Sequence, residues 1–228
     1  MPRTKTATQL AKTKTKIVIV DDHPIVRQGL KQLIEHEPDI IISGQAEDIP
    51  EAMKTIKQLK PDMVIADISL KEACGIELIK NIKSQYPDMP VLALSMHDES
   101  LYAERALRAG ARGYIMKQEA TEAVVTAIRK VLNGQVYVSE NMASKMMAKL
   151  VGIGIDPGQS PIDCLSDREL EVFLLIGKGH ATRQISKDLH LSVKTIETYR
   201  AHIKEKMNLA DAAELLQYAI QWVNSQNA

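Results

Sequence analysis

From Lys16 to Asn133 the sequence alternates short apolar runs with longer amphipathic stretches, and it does so five times. This pattern is that of successive βα units, which assemble into a parallel sheet covered by helices. The predicted strands lie at 17–20, 40–43, 63–66, 91–94 and 113–115. The first, third and fourth are almost wholly apolar, as strands covered on both faces must be. Helices are predicted from Pro24 onward and near 50–59, 76–84, 100–109 and 121–132. Pro24 suits a first helical turn, where its missing N–H has no helical partner to lose. Ile25, Leu30, Leu33 and Ile34 are the expected buried stripe of that helix. Residues 16–133 are therefore expected to form a doubly wound, five-stranded α/β domain.

The pattern changes beyond this point. Asn133-Gly134 is a helix stop, and Gly152, Gly154, Pro157, Gly158 and Pro161 mark residues 134–163 as a linker around a short helix at 141–150. From 164 to 228 only helical spacing recurs. Ser166 followed by Glu169 is a capping box ahead of the stripe Val172, Phe173, Leu175 and Ile176, and Gly177 with Gly179 ends the helix. Further helices are expected near 182–189, 192–207 and 211–223, giving a small all-α domain. Residues 1–15, with Arg3, Lys5, Lys12 and Lys14 among threonines, bury little and are expected to be a disordered basic tail.

Composition narrows the function classes. Apolar residues make up 45% and charged residues 25%, ordinary for a globular protein. Basic and acidic residues balance at 29 each, so any nucleic-acid affinity must come from local clustering. Cys74 and Cys164 lack the CxxC spacing of a zinc or redox site, and the six histidines form no ligand motif such as HExxH. No apolar run reaches the 18 or so residues of a membrane span, and the N-terminus has no signal-peptide core. A cytoplasmic protein without membrane association is expected.

In open α/β sheets the ligand crevice lies beyond the carboxyl ends of the strands. Asp21 and Asp22 follow the first predicted strand, Asp67 the third, Ser95 the fourth and Lys117 the fifth. Three carboxylates, a hydroxyl and an ammonium thus converge on one edge. Such carboxylates repel one another unless a cation intervenes, and a hard divalent ion with oxygen ligands, Mg²⁺, suits them.

This constellation, with the run Ala109-Gly110-Ala111-Arg112-Gly113-Tyr114-Ile115-Met116-Lys117, resembles the receiver domains of two-component response regulators. The resemblance covers about residues 16 to 133 and implies a CheY/flavodoxin-like fold. It implies phosphorylation on Asp67 and Mg²⁺ held by Asp22, Asp67 and the backbone carbonyl of Ser69, with Asp21 acting through water. Ser95 and Lys117 would contact the phosphoryl group, and Tyr114 would be the aromatic that turns inward when Ser95 moves toward phosphate. The loop from Ile68 to Gly75 departs from the family in lacking the usual proline and in carrying Lys71-Glu72.

Leu165-Ser166-Asp167-Arg168-Glu169-Leu170-Glu171-Val172 and Ser192-Val193-Lys194-Thr195-Ile196-Glu197-Thr198-Tyr199-Arg200 resemble the LuxR-type helix-turn-helix of NarL/FixJ-type response regulators. Ile196, Tyr199, Ile203 and Met207 repeat at helical spacing and are expected to face the core. The opposite face carries Lys194, Thr198, Ala201 and Glu205, with Glu197 on its flank. Lys194, Glu197, Thr198 and Ala201 are the expected base readers, and Arg183, Lys187, Arg200 and Lys204 the expected phosphate contacts. Between residues 161 and 228 eight Lys or Arg meet nine Asp or Glu, so a single copy should bind weakly and a dimer on paired half-sites better. His190 stands where relatives often have glycine, and histidine tolerates the left-handed region there.

The resemblance implies a DNA-binding transcription regulator that is phosphorylated by a sensor histidine kinase, dimerises when phosphorylated and binds promoter DNA. It implies no enzyme beyond slow self-dephosphorylation. The alternative within the family is a regulator that binds DNA constitutively. A phosphohydrolase with an Asp nucleophile requires an acid two residues after the nucleophile, where Ser69 stands.

Overall fold

A computed structural model describes residues 14–70, 74–97, 99–151 and 161–226. Residues 1–13 of the expected tail at 1–15, the Lys71-Glu72 pair and the glycine-rich stretch at 152–160 lie outside them. The chain divides into two compact units. The first comprises the described residues up to Asp67 with Ile79–Tyr137, and the second Ile68–Leu78 with Val138–Ala228.

The first unit is built on a five-stranded parallel sheet of order β2-β1-β3-β4-β5, with strands β1 (Thr15–Val20), β2 (Ile40–Ala46), β3 (Met63–Asp67), β4 (Val91–Ser95) and β5 (Gly113–Met116). Helices α1 (Pro24–Glu35), α2 (Ile49–Leu59), α3 (Gly75–Gln85), α4 (Glu99–Ala109) and α5 (Ala120–Leu132) alternate with the strands. Because side chains alternate along a strand, Ile17 and Ile19 of β1 join Met63, Ile65, Leu92 and Leu94 on one face, under Leu30 and Ile34 of α1 and Val124, Ile128 and Val131 of α5. Val18 and Val20 of β1 are equally buried on the opposite face, where α2 packs.

Three local expectations are corrected. Ile25 is 86% exposed, and the half-buried Val26 takes its place with Leu30, Leu33 and Ile34. Those four sit at i, i+4, i+7 and i+8 of one helix face, whereas five residues of helix turn Ile25 well away from Leu30. β2 runs past Ser43 to Ala46, because the register jumps from Ile17 opposite Ile42 to Val18 opposite Gly44. Ser43 is the extra residue of a bulge and its hydroxyl donates to the Ile17 carbonyl at 3.2 Å. The sheet starts at Thr15, inside the stretch expected to be tail, with the Thr15 N–H donating to the Asp39 carbonyl at 2.9 Å.

The described helices of the second unit are α6 (Glu140–Val151), α7 (Asp167–Gly177), α8 (Thr182–Asp188), α9 (Val193–Lys206) and α10 (Ala212–Gln226), with a short 3-10 turn at Pro161–Cys164 ahead of α7. The capping box is formed: the Glu169 N–H donates to Ser166 Oγ, and the Ser166 N–H to Glu169 Oε2 at 2.7 Å. α7 is buried almost all round, since α8, α9 and α10 pack against it. Leu174 is therefore buried while Leu175, expected in the stripe, is only half-buried. A Cβ on Gly177 would stand 2.5 Å from the Ala219 carbonyl oxygen, so this glycine sets the approach of α7 to α10.

Candidate functional site

The strand order reverses between β1 and β3, and this is where a ligand crevice forms in such sheets. Asp21 and Asp22 leave β1 there, and Asp67 is the last residue of β3; all three are buried. β4 contributes Ser95 and the turn after β5 contributes Lys117. Lys117 Nζ lies 2.7 Å from Asp67 Oδ2 and 2.7 Å from Asp21 Oδ2. Burial by itself pushes the Lys117 ammonium toward a lower pKa, but attraction to Asp67 and Asp21 outweighs it, and the net shift is upward. The ammonium is accordingly held in its charged form.

One cation does not satisfy three carboxylates. Asp21 Oδ2 and Asp22 Oδ1 are buried and take no well-formed hydrogen bond, only ion-pair approaches from Lys117 and from His23 Nδ1, the latter 2.8 Å from Asp22 Oδ1. Donor atoms of Asp21, Asp22, His23 and Asp67 all lie within 4.8 Å of one another. An oxygen-rich set of this size with underused lone pairs fits a small hard divalent cation. His23 lies at the pocket although it forms no ligand motif with another histidine in the sequence. Its position directly after two strand-end aspartates is the sequence cue. Ser69 follows Asp67 by two residues and forms an antiparallel bridge with Cys74.

Beside the carboxylates a second chain of bonds links β4 to β5. Ser95 Oγ accepts the His97 N–H at 3.0 Å, which leaves the serine proton to donate elsewhere. Tyr114 is 1% exposed and turned inward, its hydroxyl donating to the His97 carbonyl at 2.9 Å. The His97 ring stacks on Tyr102, with centroids 4.6 Å apart. His97 thus joins this chain of bonds through its backbone, while its ring packs on Tyr102.

In the second unit, Ile196 and Ile203 of α9 are buried, and Tyr199 and Met207 are half-buried on the same side. Lys194, Glu197, Thr198, Ala201 and Glu205 are exposed together on the opposite side. Thr198 Oγ1 donates back to the Lys194 carbonyl at 3.1 Å, four residues earlier. Arg183 and Lys187 are exposed on α8, and Arg200 and Lys204 are partly covered on α9. His190, in the turn between these helices, adopts φ +52°, the left-handed geometry that a tight turn requires. Ser192 caps α9 by accepting the Thr195 N–H at 3.0 Å.

Two family models match the chain: "Response regulator receiver domain" over residues 17–129 and "Bacterial regulatory proteins, luxR family" over 163–219. The oxygen regulatory protein NreC of Staphylococcus carnosus is 35% identical over 210 residues, covering 90% of this chain and 97% of that protein. The RcsB response regulator of Salmonella typhimurium has a structure with a TM-score of 0.63 at 25% identity, covering 92% of this chain and 98% of that one. RcsB solved as two dimers bound to two parallel DNAs matches with a TM-score of 0.55 at 26% identity, over 90% of this chain and 98% of that one.

Proposed function

The chain belongs to the response regulators that join a receiver domain to a LuxR-type DNA-binding domain, and from that premise we propose that Asp67 is its phosphorylation site and the exposed face of α9 its DNA-reading surface. The observation that carries this reading is the position of Lys117 Nζ, 2.7 Å from both Asp67 Oδ2 and Asp21 Oδ2, in a pocket where the buried Asp22 Oδ1 takes no well-formed hydrogen bond.

In the proposed reaction an Asp67 carboxylate oxygen forms a bond to phosphorus while the phosphorus–nitrogen bond of a kinase phosphohistidine breaks. The released imidazole takes up a proton. Asp22, Asp67 and the Ser69 carbonyl would hold Mg²⁺, with Asp21 acting through water; when bound, this ion offsets the charge on the phosphoryl oxygens. Lys117 neutralises the same charge from the β5 side, and Ser95 donates its hydroxyl proton to a phosphoryl oxygen.

Phosphorylation adds about −1.5 to −2 charges and one to three charge-assisted hydrogen bonds. At roughly 1.5 to 3 kcal/mol each, these compare with about 5.5 kcal/mol to move a switch from 1:99 to 99:1. The chemistry is therefore large enough to drive a conformational change. Its output, on this reading, is dimerisation and tighter promoter binding, as the DNA-bound RcsB dimers illustrate for that protein. A promoter-binding protein phosphorylated by a sensor kinase acts in the cytoplasm, and among the described residues no helix is long and apolar enough to cross a membrane.

The test is promoter binding with and without acetyl phosphate and Mg²⁺, in the wild type and in Asp67→Asn. Affinity should rise on phosphorylation in the wild type only. An undiminished response in Asp67→Asn removes Asp67 from the mechanism.

A further inference from the structure

β5 is the edge strand of the sheet, and an edge leaves a row of backbone groups without strand partners. Here the chain supplies one itself. After α5, Gly134 turns at φ +79°, and the chain returns to lay Tyr137 alongside β5 as a single parallel bridge with Gly113. The Tyr114 N–H donates to the Tyr137 carbonyl at 2.8 Å, and the Tyr137 N–H to the Arg112 carbonyl at 3.0 Å. The fit is tight: a Cβ on Gly113 would stand 3.0 Å from the Tyr137 oxygen. Lys130 Nζ lies over the Tyr137 ring, 5.4 Å from its centroid, and holds it from the α5 side.

Tyr114 is therefore attached through both its hydroxyl and its backbone. Its hydroxyl is bound to His97, whose own N–H is bound to Ser95 Oγ in the pocket. Its backbone N–H is bound to Tyr137, the last residue of the first unit, beyond which the chain passes into the second. A one-residue bridge at a sheet edge is held by few bonds, which puts it at the low-stability end of the fold, where local opening costs least.

We propose that Tyr137 is a positioning residue whose backbone pairing with β5 converts the setting of Tyr114 into the position at which the chain leaves the receiver sheet. This inference rests on the reading of Asp67 as the phosphorylation site. When Ser95 is drawn toward a phosphoryl group, His97 and the Tyr114 hydroxyl shift with it, and the edge pairing changes at its other end.

The test is residue-resolved amide hydrogen exchange on the full chain with Mg²⁺, before and after beryllofluoride is added as the phosphoryl mimic. The amides of Tyr114 and Tyr137 should change protection together, by tenfold or more. In Tyr137→Pro, which lacks the donor to Arg112, phosphoryl uptake from acetyl phosphate should stay within twofold of the wild type. The gain in DNA affinity on phosphorylation should fall at least fivefold. Tyr137→Phe, which keeps the backbone pairing, should behave as the wild type. If the pocket amides of His97 and Lys117 respond while those of Tyr114 and Tyr137 do not, or if Tyr137→Pro keeps the full gain, the inference is overturned alone. If no amide responds, the phosphorylation reading falls and this inference falls with it.

Discussion

Glu169, buried in the first turn of α7, accepts a hydrogen bond from Lys206 Nζ, at the end of α9, over 2.6 Å. The same carboxylate closes the capping box with Ser166, so one side chain fixes both the start of α7 and the far end of α9. Burial works to raise the pKa of Glu169, but the bonds from Lys206 and Ser166 prevail and lower it below the ordinary glutamate value. A carboxylate with a depressed folded pKa contributes stability above its unfolded pKa of about 4.3 and loses it as pH falls through the folded value. Glu169→Gln should cost about 1 to 3 kcal/mol at neutral pH, and the difference from wild type should shrink below pH 4. Urea unfolding at pH 7 and pH 3.5 measures both.

Lys117 offsets the carboxylates of the receiver pocket, so its removal leaves buried negative charge. Lys117→Met should destabilise the receiver by about 3 to 5 kcal/mol in chelator, the usual cost of breaking a buried pair. Millimolar Mg²⁺ should restore part of that stability. Denaturation with EDTA and with Mg²⁺ gives the comparison, and equal loss in both conditions would argue against a cation among Asp21, Asp22 and Asp67.

Two helical glycines should respond oppositely to alanine. At Gly177 the new methyl meets the Ala219 carbonyl oxygen and Val223 Cγ2, both at 2.5 Å, and backbone does not yield easily. Gly177→Ala should therefore cost about 1 to 3 kcal/mol. At Gly29, within α1, nothing lies within 4 Å, so Gly29→Ala should stabilise by about 0.5 to 1 kcal/mol through reduced unfolded-state entropy. Paired thermal melts decide the signs.

Glu197, on the exposed face of α9, and Arg183, on α8, differ in expected role. Glu197→Ala should relax base preference at one position, at a cost of about 1 to 3 kcal/mol on the preferred site. Arg183→Ala, on α8, should weaken binding to all sequences alike and lower the salt slope by about one. Lys194→Ala should resemble Glu197→Ala if it reads a base edge. Titrations against an operator and its single-base variants, at several salt concentrations, separate these outcomes.

The two cysteines should differ in reactivity. Burial pushes the Cys74 thiol up to about 12, whereas Cys164 is exposed. At neutral pH an alkylating reagent should modify Cys164 in the folded protein and reach Cys74 only on denaturation. Mass spectrometry of the two peptides gives the order.

The sheet, its five helices and the helix-turn-helix were legible in the sequence because each rests on local periodicity and punctuation. Strand alternation, a proline at a helix start and the Ser166–Glu169 box are short-range facts of the chain. Asp21, Asp22, Asp67, Ser95 and Lys117 were found for a related reason: each stands at the end of a strand, and strand ends meet at one edge of a parallel sheet. Residue type alone does not give the rotation of α1 that exposes Ile25, because helical phase, and not hydrophobicity, decides which side of the helix a residue takes. His23 is legible only through its place directly after two strand-end aspartates, since no spacing to another histidine marks it.

What the sequence determined by itself was which segments are strands and helices and which residue types reach the sheet edge, since both follow from interactions within a few residues. Only the tertiary structure decided that Lys117 divides its charge between Asp21 and Asp67, that the Tyr114 hydroxyl reaches the His97 carbonyl, and that Tyr137 returns to pair with β5. Those are contacts between segments distant in sequence or settled by sheet register, and their geometry is set to a fraction of an ångström by packing that no local pattern encodes.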